Sequence, residues 1–228
     1  FRRVLFRSMS KTFSFWDYWP KPDNNHIHYF TYKAIDNSMP NITSAFVQDP
    51  GSNSLLYVDY DSSMNWKDTW YLQYRQGFGI AEWRDDYPSG GVFGGRKKVV
   101  MDGAFGTPIG WGDIGTIGGY YQNKPKMNPL LSNPPQFSTG TQTVIWESAL
   151  DTLALSNNIV YNDVITIVYQ QSWGSKTAGG RYWFAKGVGP VALQWIAPDP
   201  NNKGHYIVTS RMDANYTVVN GTVNDIKH

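Results

Sequence analysis

Polar and apolar residues alternate with a period of two along most of this chain, as in β-strands with one buried and one exposed face. Short runs rich in Val, Ile, Thr and aromatics are separated by clusters of Gly, Pro, Asn and Asp. The strand candidates are Ile27–Ile35, Leu55–Tyr60, Thr69–Arg75, Phe78–Arg84, Lys97–Met101, Thr143–Glu147, Val164–Gln170, Arg181–Lys186, Val191–Ile196 and His205–Arg211. We therefore predict an all-β fold: an antiparallel β-sandwich, jelly-roll-like, or a partly closed barrel.

Two local patterns refine this prediction. The pair Asn157-Asn158 lies between two strand-like runs and predicts a hairpin turn, because Asn tolerates the left-handed backbone conformation. The stretch Glu147–Leu155 is the one segment in which the pattern also fits a helix, of about two turns.

The length of 228 residues suits one β-domain, which we expect over residues 9–219. Residues 1–8, FRRVLFRS, resemble the translated read-through of a sequencing adapter and are predicted to be a non-native leader. A Gly- and Pro-rich loop region is expected over about 86–140, and residues 220–228 read as a tail.

Composition excludes several classes of site. Without the leader, Lys and Arg fall from 20 to 17 against 18 acidic residues, and the formal charge moves from +2 to −1, which argues against a nucleic-acid partner. The chain has no cysteine, hence no disulfide and no thiolate site. No apolar run is long enough for a membrane span. The Gly-rich stretches do not open a helix, so no phosphate cradle and no cofactor are predicted.

Glutamate occurs only twice, at Glu82 and Glu147, each directly before a tryptophan. Glycoside hydrolysis commonly uses two carboxyl groups, one as an acid and one as a nucleophile or base. We predict these two glutamates as a catalytic pair. Strand alternation turns each away from its neighbouring tryptophan and onto a partly apolar face. The alternative is that both are strand-end residues where the face meets solvent.

Aromatic residues make up 16% of the chain and include ten tryptophans, more than a core of this size normally uses. Aromatic faces stack on sugar rings and tolerate water at their edges, so a carbohydrate polymer is the predicted partner. A single-stranded nucleic acid would also need a basic groove. The predicted substrate-binding residues are Trp70, Trp173, Arg181, Tyr182, Trp183 and Trp195.

Two further sites are weaker alternatives. A polysaccharide lyase would use Tyr182 as base with Arg181 or Lys186 to neutralise a uronate. A metal site would combine His26 and His28, which share a strand face, with His205 as a third ligand.

The run Tyr161-Asn162-Asp163-Val164-Ile165, followed by the string YWFAKGVG over 182–189, resembles bacterial envelope lipoproteins of unknown function. In those proteins a strand ends with an alanine and a Gly-x-Gly turn leads into the next strand, as Ala185, Gly187 and Gly189 do here. The opening Tyr18-Trp19-Pro20 is similar to the start of their first strand. The resemblance covers the last third and this opening. It implies an all-β extracytoplasmic domain and no catalytic residue. The chain departs from it in lacking a lipobox cysteine and in its heavier aromatic content.

Size, richness in Trp, Tyr and Gly, and the glutamate pair are similar to small jelly-roll xylanases and cellulases. The strings around Glu82 and Glu147 do not reproduce the signatures of those enzymes, so the likeness is one of composition. The leading hypothesis is an extracytoplasmic glycoside hydrolase, secreted or in the cell envelope, although no signal peptide is visible. A non-catalytic carbohydrate-binding or envelope module and a polysaccharide lyase are the alternatives, so whether the chain is an enzyme stays open.

Overall fold

The computed structural model describes the backbone of residues 11–19, 28–36, 42–48, 54–60, 66–75, 79–85, 109–110, 112, 114–124, 126–127, 138–173, 176–199, 201, 206–219 and 222–225. Side chains are described for 11–19, 30–36, 112, 114–124, 140–170, 172, 179–195, 199, 201, 207 and 211–215.

The described residues form seventeen β-strands and one short 3-10 helix, Phe15–Tyr18. The strands are β1 (Thr12–Ser14), β2 (His28–Ala34), β3 (Ile42–Gln48), β4 (Ser54–Tyr60), β5 (Trp66–Arg75), β6 (Gly79–Asp85), β7 (Ile109–Gly110), β8 (Ile114–Thr116), β9 (Tyr120–Asn123), β10 (Lys126–Met127), β11 (Ser138–Thr139), β12 (Thr141–Ala154), β13 (Val160–Trp173), β14 (Lys176–Ala185), β15 (Gly189–Pro198), β16 (Tyr206–Val219) and β17 (Thr222–Asp225). No helix in this part of the chain is long and apolar enough to cross a membrane.

Thirteen of the described strands form one antiparallel sheet in the order β7-β6-β5-β4-β3-β2-β16-β15-β14-β13-β12-β9, with β17 also paired to β16. Each half is an up-and-down meander, and the halves join where β2 pairs with β16. Two small sheets, β1 with β8 and β10 with β11, complete the described strands. The prediction of an all-β, antiparallel domain is confirmed.

Nine of the ten strand candidates overlap observed strands, whereas Lys97–Met101 lies outside the described residues. Strand β3 was not predicted. Within the predicted loop region, the described residues form the short strands β7 to β11.

The predicted helical segment is wrong, because β12 continues as a strand through Glu147 to Ala154. The pairing of β12 with β13 shifts register between Trp146 and Ser148, so Glu147 is the extra residue of a β-bulge. The bulge interrupts the period-two alternation of β12, and for this reason the sequence after Glu147 also fitted a helical period. The hairpin turn at Asn157-Asn158 is confirmed, with a positive φ of 68° at Asn158.

The N-terminal segment closes the core against one face of β12–β16. Phe13, Phe15, Tyr18 and Trp19 are all buried, and the rings of Phe15 and Phe184 meet edge to face with centroids 5.0 Å apart. The core of this half also contains Val144, Trp146, Val164, Ile165, Ile167, Val191, Leu193 and Met212. Burial of these side chains stabilises the half-sheet that carries Glu147 and all the predicted substrate-binding residues except Trp70.

Three glycines of the Gly-rich region line the ring of the buried Trp146. A Cβ on Gly112 or Gly115 would lie 2.8 Å from ring atoms of Trp146, and one on Gly119 would lie 3.5 Å away. The backbone of this segment also binds β12: the N–H of Gly118 donates to the carbonyl of Trp146 at 2.8 Å. Part of the glycine content is therefore explained by close packing on one tryptophan.

Candidate functional site

One face of the sheet between β9 and β15, which we call the outer face, is open to solvent along part of its length, whereas Thr166 and Ala192 on the same face are buried. Successive strands place five residues of this face in direct register: Tyr120, Ile145, Val168, Arg181 and Gln194. Tyr120 is 65% exposed and Ile145 is 36% exposed, whereas the next residue of β12, Trp146, is buried on the opposite face. The outer face is thus a row of one aromatic, two aliphatic and two planar polar side chains.

Glu147 joins this row through a bidentate ion pair with Arg181. The Nε of Arg181 donates to Oε2 of Glu147 at 2.9 Å, and Nη2 donates to Oε1 at 2.8 Å. Nη1 of Arg181 also donates to Oε1 of Gln194, at 3.5 Å. Glu147 is the extra residue of the bulge in β12, and from this position its side chain reaches Arg181 in β14, across β13. Two parallel bonds fix the guanidinium and the carboxylate in one plane.

The ion pair is part of the surface, since the Glu147 side chain is 39% exposed and that of Arg181 is 33% exposed. At such exposure its contribution to stability is at most about 1 kcal/mol. Both carboxylate oxygens of Glu147 are directed at the guanidinium. The arrangement therefore offers a ligand ordered hydrogen-bonding groups, and acid–base chemistry by Glu147 would first require Arg181 to move.

A second row, of polar side chains, lies on the same face two residues further along the strands. It consists of Gln122, Thr143 and Gln170, which are opposite one another in β9, β12 and β13. Nε2 of Gln122 donates to Oγ1 of Thr143 at 3.5 Å. Amide and hydroxyl groups on a flat surface match the hydroxyl groups of sugars, which both donate and accept hydrogen bonds.

The tip of the β12–β13 hairpin is tied to β16 by a buried carboxylate, that of Asp213. Oδ1 of Asp213 accepts a bond from Nε of Arg211 at 2.5 Å, and Oδ2 accepts one from the N–H of Ser156 at 2.7 Å. The guanidinium of Arg211 lies 4.6 Å from the ring centroid of Trp183, a cation–π contact. This cluster is structural and occupies one face of a predicted sugar-binding tryptophan.

A second carboxylate, Asp163, holds together the residues that carry the resemblance to envelope lipoproteins. Oδ1 accepts bonds from Nζ of Lys11 at 2.6 Å and from the hydroxyl of Tyr18 at 2.9 Å, and Nζ of Lys186 lies 3.6 Å from Oδ2. The hydrogen bond from Lys11, followed by that from Tyr18, lowers the pKa of Asp163. Burial, and then the hydrogen bond to Asp163, raises the pKa of Tyr18. The cluster pins the N-terminal segment to the β14–β15 turn.

Strand alternation divides the predicted substrate-binding residues between two faces. Arg181 and Trp183 belong to the outer face, whereas Tyr182 and Trp195 lie on the other side, with ring centroids 6.4 Å apart. The Tyr182 ring covers Gly180, where an added Cβ would lie 2.8 Å from it. Trp70 in β5 and Trp173 at the end of β13 have side chains outside the described residues.

Glu82 and Glu147 lie in strands far apart in the sheet order, β6 and β12. Nine strand-to-strand steps separate them in the sheet order. The sheet curves back, however, since β6 lies beside the 3-10 helix Phe15–Tyr18, whose Phe15 packs on Phe184 of β14. A catalytic pair needs carboxyl groups about 5–10 Å apart through space. The side chain of Glu82 lies outside the described residues, so the catalytic pair stays a prediction.

The lyase and metal alternatives also stay predictions. Tyr182 and Arg181 are on opposite faces, and Lys186 pairs with Asp163 in a turn. His26 and His205 lie outside the described residues, and His28 begins β2. Within the described ranges, no group of three or more His, Cys, Asp or Glu side chains is placed to hold a metal ion.

Of the residues in register in the two rows, sequence reasoning predicted only Arg181 as a site residue; among those it missed are Tyr120, Gln122 and Gln194. Tyr120 and Gln122 lie in β9, inside the region predicted as loop. The sequence Tyr-Tyr-Gln-Asn of β9 shows no polar–apolar alternation, so no local signal indicated this strand.

No family model and no curated protein matches this chain. Two solved structures are similar to it, each with 10% sequence identity, a TM-score of 0.37, and coverage of 91% of this chain and 98% of the other. One is a Bacteroides fragilis protein inferred to be exported, with a YmcC-like fold, and the other is an inferred lipoprotein of Parabacteroides distasonis. At this TM-score the likeness carries no argument about the function of this chain.

Proposed function

We propose that this chain is a non-catalytic, extracytoplasmic domain that binds a polysaccharide on its outer face. The surface combines an exposed aromatic ring, Tyr120, with ordered planar polar groups on Arg181, Glu147 and Gln194. Protein sites for sugars need both components, a ring to stack on and fixed donors and acceptors for hydroxyl groups. The resemblance to envelope lipoproteins supports the extracytoplasmic location. Tyr18, Asp163 and Lys186 of its motifs meet in one cluster, so the motifs belong to one structural unit.

The observation that carries this proposal is the bidentate Glu147–Arg181 pair within an open surface. A catalytic acid or nucleophile must reach the scissile bond, usually in a cleft that excludes water. Both oxygens of Glu147 instead face a guanidinium on a solvent-exposed sheet. Hydrolysis by Glu82 and Glu147, the leading hypothesis from the sequence, is therefore supported less well than binding without cleavage.

Replacement of Tyr120 tests the proposal. Affinity electrophoresis through gels containing neutral and acidic polysaccharides identifies the polymers that retard the chain and gives their dissociation constants. For a retained polymer, Tyr120→Ala is expected to weaken binding about fivefold to tenfold, because a stacked aromatic ring contributes about 1 kcal/mol beyond buried area.

The matched control is Ile114→Ala, which removes another exposed apolar side chain, 67% exposed, from β8 in a separate two-stranded sheet. This variant is expected to bind like the parent chain. The proposal fails if no polymer retards the parent chain, or if both variants lose affinity equally.

A further inference from the structure

An open pocket lined by polar residues adjoins the outer face where β9 ends. Its volume is ≈ 270 Å³, and the described residues that line it are Gln122, Asn123, Lys124, Thr141, Gln142 and Thr143. The volume is close to the lower limit of small-ligand pockets, about 300 Å³. The pocket continues the outer face, because Gln122 and Thr143 form a register pair next to the pair of Tyr120 and Ile145.

Gln122, Thr141 and Thr143 share the outer face, whereas Asn123 and Gln142 are paired on the opposite face and Gln142 is buried. None of the six lining residues is acidic. Lys124 is exposed, and no acidic side chain in the described part of the chain forms an ion pair with it. Its backbone N–H donates to Oδ1 of Asn123 at 2.8 Å, which fixes the turn after β9. Among the described residues, the pocket thus presents one positive charge without an acidic partner, next to neutral hydrogen-bonding groups.

We propose that this pocket is a subsite for a negatively charged sugar residue of the bound polysaccharide, one bearing a carboxylate or a sulfate ester. The inference rests on the proposed function and adds the class of polymer to it. An anion in the pocket accepts a charge-assisted bond from Lys124 and neutral bonds from the Gln122 amide and the hydroxyls of Thr141 and Thr143. The same polysaccharide continues over Gln122 and Tyr120 onto the outer face, so the charge of Lys124 and the ring of Tyr120 act on one ligand.

Matched polymers that differ only in charge test this inference by affinity electrophoresis. One arm compares polygalacturonate with its carboxyl-reduced, neutral form, and a second compares dextran sulfate with dextran. The parent chain is expected to bind the charged member of at least one pair more tightly. Lys124→Gln is expected to weaken binding of that member about fivefold to tenfold and to leave the neutral member unchanged. Whichever arm responds identifies the carboxylate or the sulfate.

Lys33→Gln is the control, because it removes the same charge from an exposed position of β2, remote from β9 in the sheet order. Equal losses in Lys33→Gln and Lys124→Gln would show general charge attraction and overturn the subsite. A chain that binds neutral polymers in a Tyr120-dependent way but shows no preference for charged ones would overturn the subsite and leave the proposed function intact. If no polymer is retained, both proposals fall.

Discussion

Trp146→Ala is expected to lower the free energy of unfolding by about 3–5 kcal/mol, the range for truncating a large buried aromatic side chain. The indole is 6% exposed and meets the ring of Phe13 edge to face at 6.1 Å. Gly112, Gly115 and Gly119 pack closely on the indole. Its removal therefore leaves a cavity, and on the glycine side no side chain is present to fill it. Urea unfolding followed by circular dichroism measures the change.

A double-mutant cycle with Gly115→Ala tests whether a glycine at position 115 is required for the packing of Trp146. An added Cβ at Gly115 would lie 2.8 Å from Trp146 and 2.6 Å from Phe13, so the single variant should cost about 1–3 kcal/mol by overpacking. Combined with Trp146→Ala, the loss should be less than additive. Strict additivity, or a cost for Trp146→Ala no greater than that of Trp195→Ala at a 37% exposed site, would contradict this packing.

Asp213→Ala is expected to cost about 3 kcal/mol of unfolding free energy, because it leaves the charge of Arg211 in a largely buried place without its carboxylate. The Asp213 side chain is 3% exposed and that of Arg211 is 25% exposed. The change also removes the acceptor of the Ser156 N–H and so releases the β12–β13 hairpin tip from β16. Thermal and urea unfolding measure the loss.

The control is Asp151→Ala, an exposed acid of β12, which should change stability by no more than about 0.5 kcal/mol. Adding Arg211→Met to Asp213→Ala should recover part of the lost unfolding free energy, since methionine removes the unpaired charge of Arg211 and keeps an apolar side chain of similar length. An Asp213→Ala variant as stable as the Asp151 control would show that the cluster does not secure the hairpin.

The fold class was predictable because period-two alternation is a local signal. The hairpin at Asn157-Asn158 was equally local, since a positive φ favours Asn there. The course of β12 was not predictable, because the bulge at Glu147 breaks the alternation and its cause is pairing with β13. The short strand β9 was hidden for the same reason, since its partner β12 lies about twenty residues further along the chain.

Alternation also predicted that Glu147 and Trp146 face opposite sides, and this is confirmed by the burial of Trp146 and the exposure of Glu147. The partner of Glu147 was beyond sequence reasoning, because Arg181 is two strands away and depends on the register of three strands. Residue rarity singled out Glu147, but the ion pair that defines its chemistry is a property of the sheet.

Product release from a polysaccharide that the chain binds tests the central claim, binding without cleavage, most directly. The retained polymer is incubated with the parent chain, and reducing ends are measured together with absorbance near 235 nm for unsaturated lyase products. We predict no increase in either signal over a heat-inactivated control. A rise in reducing ends that is abolished by Glu82→Gln and by Glu147→Gln would contradict the account and establish a glycoside hydrolase.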